Sequence, residues 1–201
     1  MSRLAIFLDR DKTLIEDPGY IADPSLVKLL PGVGPALRKL AEAGYALVVV
    51  TNQSGIARGM LTEVTLGRIH DELRRQLGEF GVTLDAIYYC PFHPEGTVGP
   101  YVKESEFRKP QPGMLLRAAA EMGLSLEGSW TIGDSVRDVQ AGRLAGTRTI
   151  WIAASHTSQG AADASREALA DFVVGDFAAA AAIILRSGSA PTRRPTAPPA
   201  S

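Results

Sequence analysis

The 201-residue chain has one cysteine, Cys90, and three histidines. A lone thiol cannot staple a secreted fold, and it leaves no partner for a thiol-rich metal site. No apolar run approaches the ~20 residues that span a bilayer, so no membrane segment is expected. The first strand-like run, Leu4–Leu8, meets Asp9 too early for a signal peptide. Excess positive charge is missing too: 21 Lys and Arg face 22 Asp and Glu, a formal net charge of −1. Proteins whose main business is nucleic acid usually show a basic excess. What remains is a soluble domain of a reducing compartment, expected in the cytoplasm as a monomer, with neither membrane nor nucleic acid as partner.

Apolar, β-branched runs at Leu4–Leu8, Ala46–Val50, Ala86–Tyr89, Ser129–Ile132, Thr147–Ile152 and Phe172–Val174 read as strands buried on both faces. Helical patterns fill the intervals at Val33–Glu42, Thr62–Glu79, Met114–Met122 and Val136–Leu144. In the second of these, Ile69, Leu73 and Leu77 form one stripe, with Thr62 as N-cap and Gly81 as stop. Alternating strands and helices predict a doubly wound, Rossmann-like α/β fold with a parallel sheet. The expected domain spans 1–186, with a long flap at 91–108 over the active site. Residues 187–201, mostly Pro, Ala, Ser and Thr, read as a disordered tail.

In open α/β sheets, ligands bind beyond the carboxyl ends of the strands. The first strand runs into Asp9-Arg10-Asp11-Lys12-Thr13, and the fourth into Gly133-Asp134-Ser135-Val136-Arg137-Asp138. A single strand-end Asp often only caps a turn. Two such clusters on one edge would repel each other unless a cation intervened, and hard oxygen ligands suit Mg²⁺. The second strand ends in Thr51-Asn52-Gln53-Ser54-Gly55, which is either a phosphate-holding loop or ordinary loop chemistry. Arg108-Lys109-Pro110 follows the flap and offers either a phosphoryl counter-charge or a solvated pair. A signalling receiver domain is disfavoured, because its acceptor Asp would follow the third strand, which here ends Tyr88-Tyr89-Cys90.

Taken in order, Asp9-x-Asp11-x-Thr13, Thr51, Lys109 and Gly133-Asp134-x-x-x-Asp138 resemble the signature of the haloacid dehalogenase superfamily of phosphatases. Gly19-Tyr20, Leu30-Pro31-Gly32-Val33, the stretch Thr51–Gly59 and Arg108-Lys109-Pro110-x-Pro112-Gly113-Met114 look most like its heptose 1,7-bisphosphate 7-phosphatase and histidinol phosphatase branch. The resemblance covers roughly Leu4 to Ile152. It implies a fold without a large cap domain, and Mg²⁺ held by Asp9, Asp11 through its carbonyl, and Asp134. It implies Asp9 as nucleophile, Asp11 as general acid and base, and Thr51 and Lys109 on the transferring phosphoryl group. Asp138 would orient Lys109 or a metal-bound water. Gly19, Tyr20, Asn52, Gln53, Ser54, Arg58 and Arg108 would surround the rest of a small phosphorylated substrate, a sugar bisphosphate first among them. Arg58 and Arg108 are the expected holders of a second phosphate. Histidinol phosphate, a polynucleotide 3′-phosphate, and a non-catalytic phosphometabolite-binding role stand as alternatives.

The sequence departs from that branch in two places. Its usual flap zinc motif, Cys-x-His then Cys-x-Cys, is here Cys90, Phe92, Ser105 and Phe107. Even with His93 shifted into place, two ligands are too few for a structural tetrahedron, so no zinc is expected. Aromatic packing by Phe92, Phe107 and Tyr101 is the expected substitute. Lys12 stands where many relatives carry glycine, which predicts that φ there need not be positive, with a side chain directed to solvent first and reaching the substrate as the alternative.

Overall fold

Each strand's side chains alternate between two cores, and the helices arrange themselves accordingly. The computed structural model describes residues 2–153 and 169–188; the expected tail beyond 188 lies outside them. The strands are β1 (Arg3–Leu8), β2 (Ala46–Asn52), β3 (Ala86–Cys90), β4 (Leu124–Gly133), β5 (Arg148–Ile152) and β6 (Phe172–Val174). They form one parallel sheet in the order β3-β2-β1-β4-β5-β6. The helices are α1 (Val33–Glu42), α2 (Glu63–Gly78), α3 (Gly113–Met122), α4 (Val136–Ala145) and α5 (Phe177–Arg186). Among the described residues no helix is long and apolar enough to cross a membrane.

Ile6, Leu8, Leu47 and Val49 point to one face, where they meet Leu37 and Leu40 of α1, Ile69 and Leu73 of α2, and Ala180 and Ile184 of α5. Ala5, Phe7, Val48 and Val50 point to the other, against Met114, Leu115 and Ala118 of α3 and Ala141 of α4. Burial on both faces explains why the strands read as unbroken apolar runs. Thr62 caps α2 as expected, its side chain accepting from Thr65 N at 3.1 Å. Strand β4 begins five residues earlier than expected, because Arg3 and Leu4 pair with Leu124 and Ser125 before the register shifts. Helix α5 was not expected from the sequence. Its sign was the Asp176 N-cap, which accepts from Ala179 N at 2.8 Å, ahead of Phe177, Ala180, Ala181 and Ile184 on one stripe.

Strand order reverses at β1, which lies between β2 and β4, so the loops after these three strands open into one crevice. Register fixes their relative height: Leu8 pairs with Val49 and with Ile132. Asp9 N then donates to Ile132 O at 2.9 Å, setting Asp9 level with the end of β4. No inserted domain interrupts the chain between Thr13 and Thr51, or between Thr51 and Lys109.

Helix α4 lies against the sheet because Gly142 has no side chain: a Cβ there would sit 2.7 Å from Thr131 Cβ and 2.8 Å from Thr149 Cγ2. Neither threonine is free to move, since Thr131 Oγ1 bonds Thr147 Oγ1 at 2.7 Å and Thr149 Oγ1 donates to Asp171 at 2.9 Å. Overpacking costs about 1–3 kcal/mol, against roughly 1 kcal/mol of helix propensity gained. Gly142→Ala is therefore expected to lower unfolding free energy by up to about 2 kcal/mol, read from the urea midpoint at an unchanged m-value.

Candidate active site

Lys109 is the cation at the centre of the crevice, and it is 2% exposed. Its backbone is bracketed by the Asn52 amide: Lys109 N donates to Asn52 Oδ1 and Asn52 Nδ2 donates to Lys109 O, each at 3.0 Å. The ammonium donates to Asp9 Oδ1 at 2.6 Å and Val50 O at 2.8 Å, and lies 2.5 Å from Asp138 Oδ1. All three of its N–H bonds thus find acceptors. Asp138 Oδ2 accepts from Ser135 N at 3.1 Å and Ser135 Oγ at 2.6 Å, so both oxygens of this carboxylate are occupied. Gly133 permits the close approach, since a Cβ there would fall 2.3 Å from Asp138 Cγ.

Negative charge exceeds what Lys109 can neutralise. Carboxylate oxygens of Asp9, Asp134 and Asp138 lie within 4.8 Å of one another. Burial pushes Asp9 up to about 7; Lys109 opposes the rise, while Asp138 and Asp11 add to it. Burial and then Asp138 push Asp134 up to about 6, with Lys12 and Lys109 opposing. For Lys109, burial disfavours the charge, but Asp138 and Asp9 outweigh it and hold the ammonium at about 12. Two carboxylates resisting ionisation beside a hard-oxygen cluster fit a small divalent cation such as Mg²⁺. The oxygens left to hold it are those of Asp9 and Asp134.

A second buried cation sits one residue from Asp9. Arg10 Nε and Nη2 donate to Asp11 Oδ1 and Oδ2 at 2.9 and 3.1 Å. Gln53 Nε2 donates to Asp11 Oδ2 at 3.0 Å and to Thr51 Oγ1 at 2.9 Å, and its Oε1 accepts from Arg10 at 3.1 Å. The Gln53 amide is thereby engaged within the protein. Thr51 is buried beneath it, with its hydroxyl proton left to give. On the far side, Arg10 Nη1 lies 3.4 Å from Nε2 of His70 on α2. Burial, then Arg10 and Arg74, hold His70 down at about 3.

Above and including this floor the crevice encloses about 320 Å³, and of the residues expected around the substrate Gly19, Tyr20, Asn52, Gln53, Ser54 and Arg108 line it. Arg58 is not in the lining: its Nη2 faces His93 Nε2 at 3.3 Å and Glu95 at 3.8 Å, because the flap docks on its turn. Thr97 N and Val98 N both bond Ala57 O there, at 2.7 and 2.9 Å. Arg137 lines the pocket instead and went unnoticed in the sequence, where it sits between Asp134 and Asp138. Lys12 also corrects an expectation. Its φ is 58°, in the left-handed region, and its half-exposed side chain lines the pocket with Nζ 3.9 Å from Asp17. The turn imposes this, with Lys12 N bonded to Ile15 O at 2.9 Å and Leu14 N to Arg10 O at 2.8 Å.

Residues 106–180 match the HAD-hydrolase-like family model. The D-glycero-beta-D-manno-heptose-1,7-bisphosphate 7-phosphatase of Yersinia pestis is 42% identical over 176 residues, covering 87% of this chain and 91% of that protein. The chain belongs to the haloacid dehalogenase-like phosphatases. It shares 44% identity over 137 residues with the enzyme of the same name from Escherichia coli K12, covering 68% of this chain and 72% of that one. The crystal structure of D,D-heptose 1,7-bisphosphate phosphatase from B. bronchiseptica, complexed with magnesium and phosphate, superposes with a TM-score of 0.77. It is 33% identical, over 92% of this chain and 99% of that one. As a haloacid dehalogenase-like phosphatase, the chain is a phosphoric monoester hydrolase. Its flap carries aromatic contacts: Phe92 and Tyr101 have ring centroids 6.1 Å apart, and Lys103 Nζ lies 4.0 Å over the Phe92 ring. Phe92 and Phe107 both pack on the core that contains the buried thiol of Cys90.

His70 ties this site to stability. Its folded pKa lies below the unfolded value near 6.5, so between about 3 and 6.5 the unfolded chain binds more protons. The contribution is complete above pH 6.5 and falls by up to about 1.4 kcal/mol per unit as pH drops. Urea titrations from pH 7 to 4 are expected to show a shallower acid decline in His70→Gln than in the parent.

Proposed function

We propose that the chain is a Mg²⁺-dependent phosphatase of a small sugar bisphosphate, D-glycero-D-manno-heptose 1,7-bisphosphate, releasing the 7-phosphate through an aspartyl-phosphate on Asp9. The observation that carries the reading is Asp9 itself: a carboxylate at the floor of the crevice, one oxygen bonded by Lys109 and a second cation-poor acid, Asp134, beside it. The names and identities of the relatives support the sugar.

Asp9 attacks phosphorus in line with the leaving oxygen and divides one displacement into two. Lys109, fixed by Asp138, Val50 O and the Asn52 bracket, keeps Asp9 oriented and presents positive charge to the phosphoryl oxygens. Thr51 gives its hydroxyl proton to one of those oxygens. Asp11 protonates the leaving alkoxide as the P–O bond breaks, then takes a proton from the water that cleaves the aspartyl-phosphate. Asp9 and Asp134, with the Asp11 carbonyl, would hold Mg²⁺, which screens anion from anion as the phosphate approaches. Arg108 and Arg137, both in the lining, face the remainder of the substrate and take over the role expected of Arg58.

We also propose that the flap holds no structural zinc. Cys90 and His93 supply two ligands at most, His93 is already engaged by Arg58 and Glu95 N, and the Phe92 ring packs where a ligand would stand in the relatives' motif. Zinc at less than a tenth of an equivalent in metal analysis, with Tm unmoved by a zinc chelator, is the expected result; one equivalent per chain refutes it.

Phosphate release would be measured with Mg²⁺ and with EDTA against both anomers of the heptose bisphosphate, histidinol phosphate, sugar monophosphates and a 3′-phosphorylated oligonucleotide. Preference for the bisphosphate by at least tenfold in kcat/KM, abolished by EDTA, is expected. Equal rates across the panel would contradict the sugar assignment, and EDTA-resistant release would contradict the metal. Arg137→Ala is expected to raise KM for the bisphosphate about tenfold, leaving kcat within about threefold.

A further inference from the structure

Among the described residues, the proposed chemistry leaves one buried charged group without a role: the Arg10 guanidinium, 1% exposed. An arginine is kept out of water only where its N–H groups find acceptors. Arg10 sets its fork against both oxygens of Asp11 and gives a further bond to Gln53 Oε1. Its remaining edge faces Nε2 of His70 at 3.4 Å, across 60 residues of chain. Guanidinium has no acceptor, so this contact requires the imidazole tautomer with its proton on Nδ1 and its lone pair on Nε2. Burial of His70 keeps the ring neutral and so preserves that lone pair. The ring is itself seated against Tyr89 of β3, with centroids 5.9 Å apart.

An adjacent Arg–Asp pair in a turn has no fixed geometry of its own. Asp11 is part-exposed, and its neighbour on the chain could hold it in many arrangements. The anchors from α2 and from Gln53 remove that freedom, since they fix the plane of the fork and hence the plane of the carboxylate. We propose that Arg10 is a positioning residue for Asp11 and that His70, from α2, sets the guanidinium plane, so that the carboxylate meets the leaving oxygen in one orientation. This rests on the acid–base reading of Asp11 given above. Proton transfer from Asp11 to the departing alkoxide depends on that orientation, whereas in-line attack by Asp9 does not.

The test uses two leaving groups. A sugar phosphate leaves as an alkoxide that needs a proton, and p-nitrophenyl phosphate leaves as a stable phenolate that does not. kcat/KM for each would be measured with Mg²⁺ in the full chain, in Asp11→Asn, His70→Leu, His70→Gln and Arg10→Lys. Asp11→Asn is expected to lower the sugar-to-aryl ratio by about 100-fold or more. His70→Leu and Arg10→Lys are expected to lower it about tenfold, and His70→Gln, whose amide oxygen restores an acceptor, to return it towards the parent value. Loss of folded protein scales both substrates alike, so the ratio is insensitive to partial unfolding, and Arg10→Lys serves if His70→Leu does not fold. Equal losses on both substrates in His70→Leu and Arg10→Lys, with Asp11→Asn still selective, would overturn the proposal and leave the acid–base role standing. No selectivity in Asp11→Asn would overturn both.

Discussion

Lys109 is the charge on which the crevice depends. It places one ammonium between the carboxylates of Asp9 and Asp138 and a strand carbonyl, at 2.5 to 2.8 Å. Removing it would leave two buried acids face to face, a loss of about 3–5 kcal/mol for a broken buried pair. Much of the surrounding structure serves to hold it there. The flap returns Lys109 to the sheet edge, Asn52 grips its backbone on both sides, and Gly133 clears the approach of Asp138. A buried ion pair of this kind contributes little to net stability. In the proposed mechanism its value lies in fixing the direction of the Asp9 carboxylate.

Two carboxylates of the floor, Asp9 and Asp11, are separated by one residue and held by different cations. Asp9 belongs to Lys109, and Asp11 to Arg10 and Gln53. The separation suits the two roles proposed for them, attack on phosphorus and transfer of a proton, which must not be exchanged. The charge left unbalanced, between Asp9 and Asp134, suits a divalent cation. Besides the floor, the lining carries Lys12, Arg108 and Arg137 together with Asp17, so cationic side chains are available to a substrate beyond the reacting phosphate.

The fold was legible because its strands are buried on both faces and its helices are amphipathic, and both leave strong periodic signals. The site's floor was legible because Asp9 and Asp134 each follow a buried strand and Thr51 lies among the last residues of another, and parallel strands bring their carboxyl ends to one edge. What could not be read depends on contacts distant in sequence. The turn that carries Arg58 is claimed by the flap through Ala57 O, which holds its side chain against His93. Lys12 takes a left-handed φ because hydrogen bonds across the 10–15 turn override its own preference. His70, beside the Ile69 stripe of α2, carries no sequence mark of its own, and only folding brings it to Arg10. Helix α5 is apolar over most of its length, Phe177-Ala-Ala-Ala-Ala-Ala-Ile-Ile-Leu185, so its periodicity is blurred and only its Asp176 cap marks it in the sequence.

The central claim is that Asp9 carries the phosphoryl group between two displacements. Its most direct test is acid quench of the enzyme in steady-state turnover with Mg²⁺ and substrate, followed by peptide mass spectrometry. One phosphoryl group on the peptide containing Asp9, absent without substrate and absent in Asp9→Asn, is the predicted result. A phosphoryl group on another residue, or turnover retained in Asp9→Asn, would contradict the account.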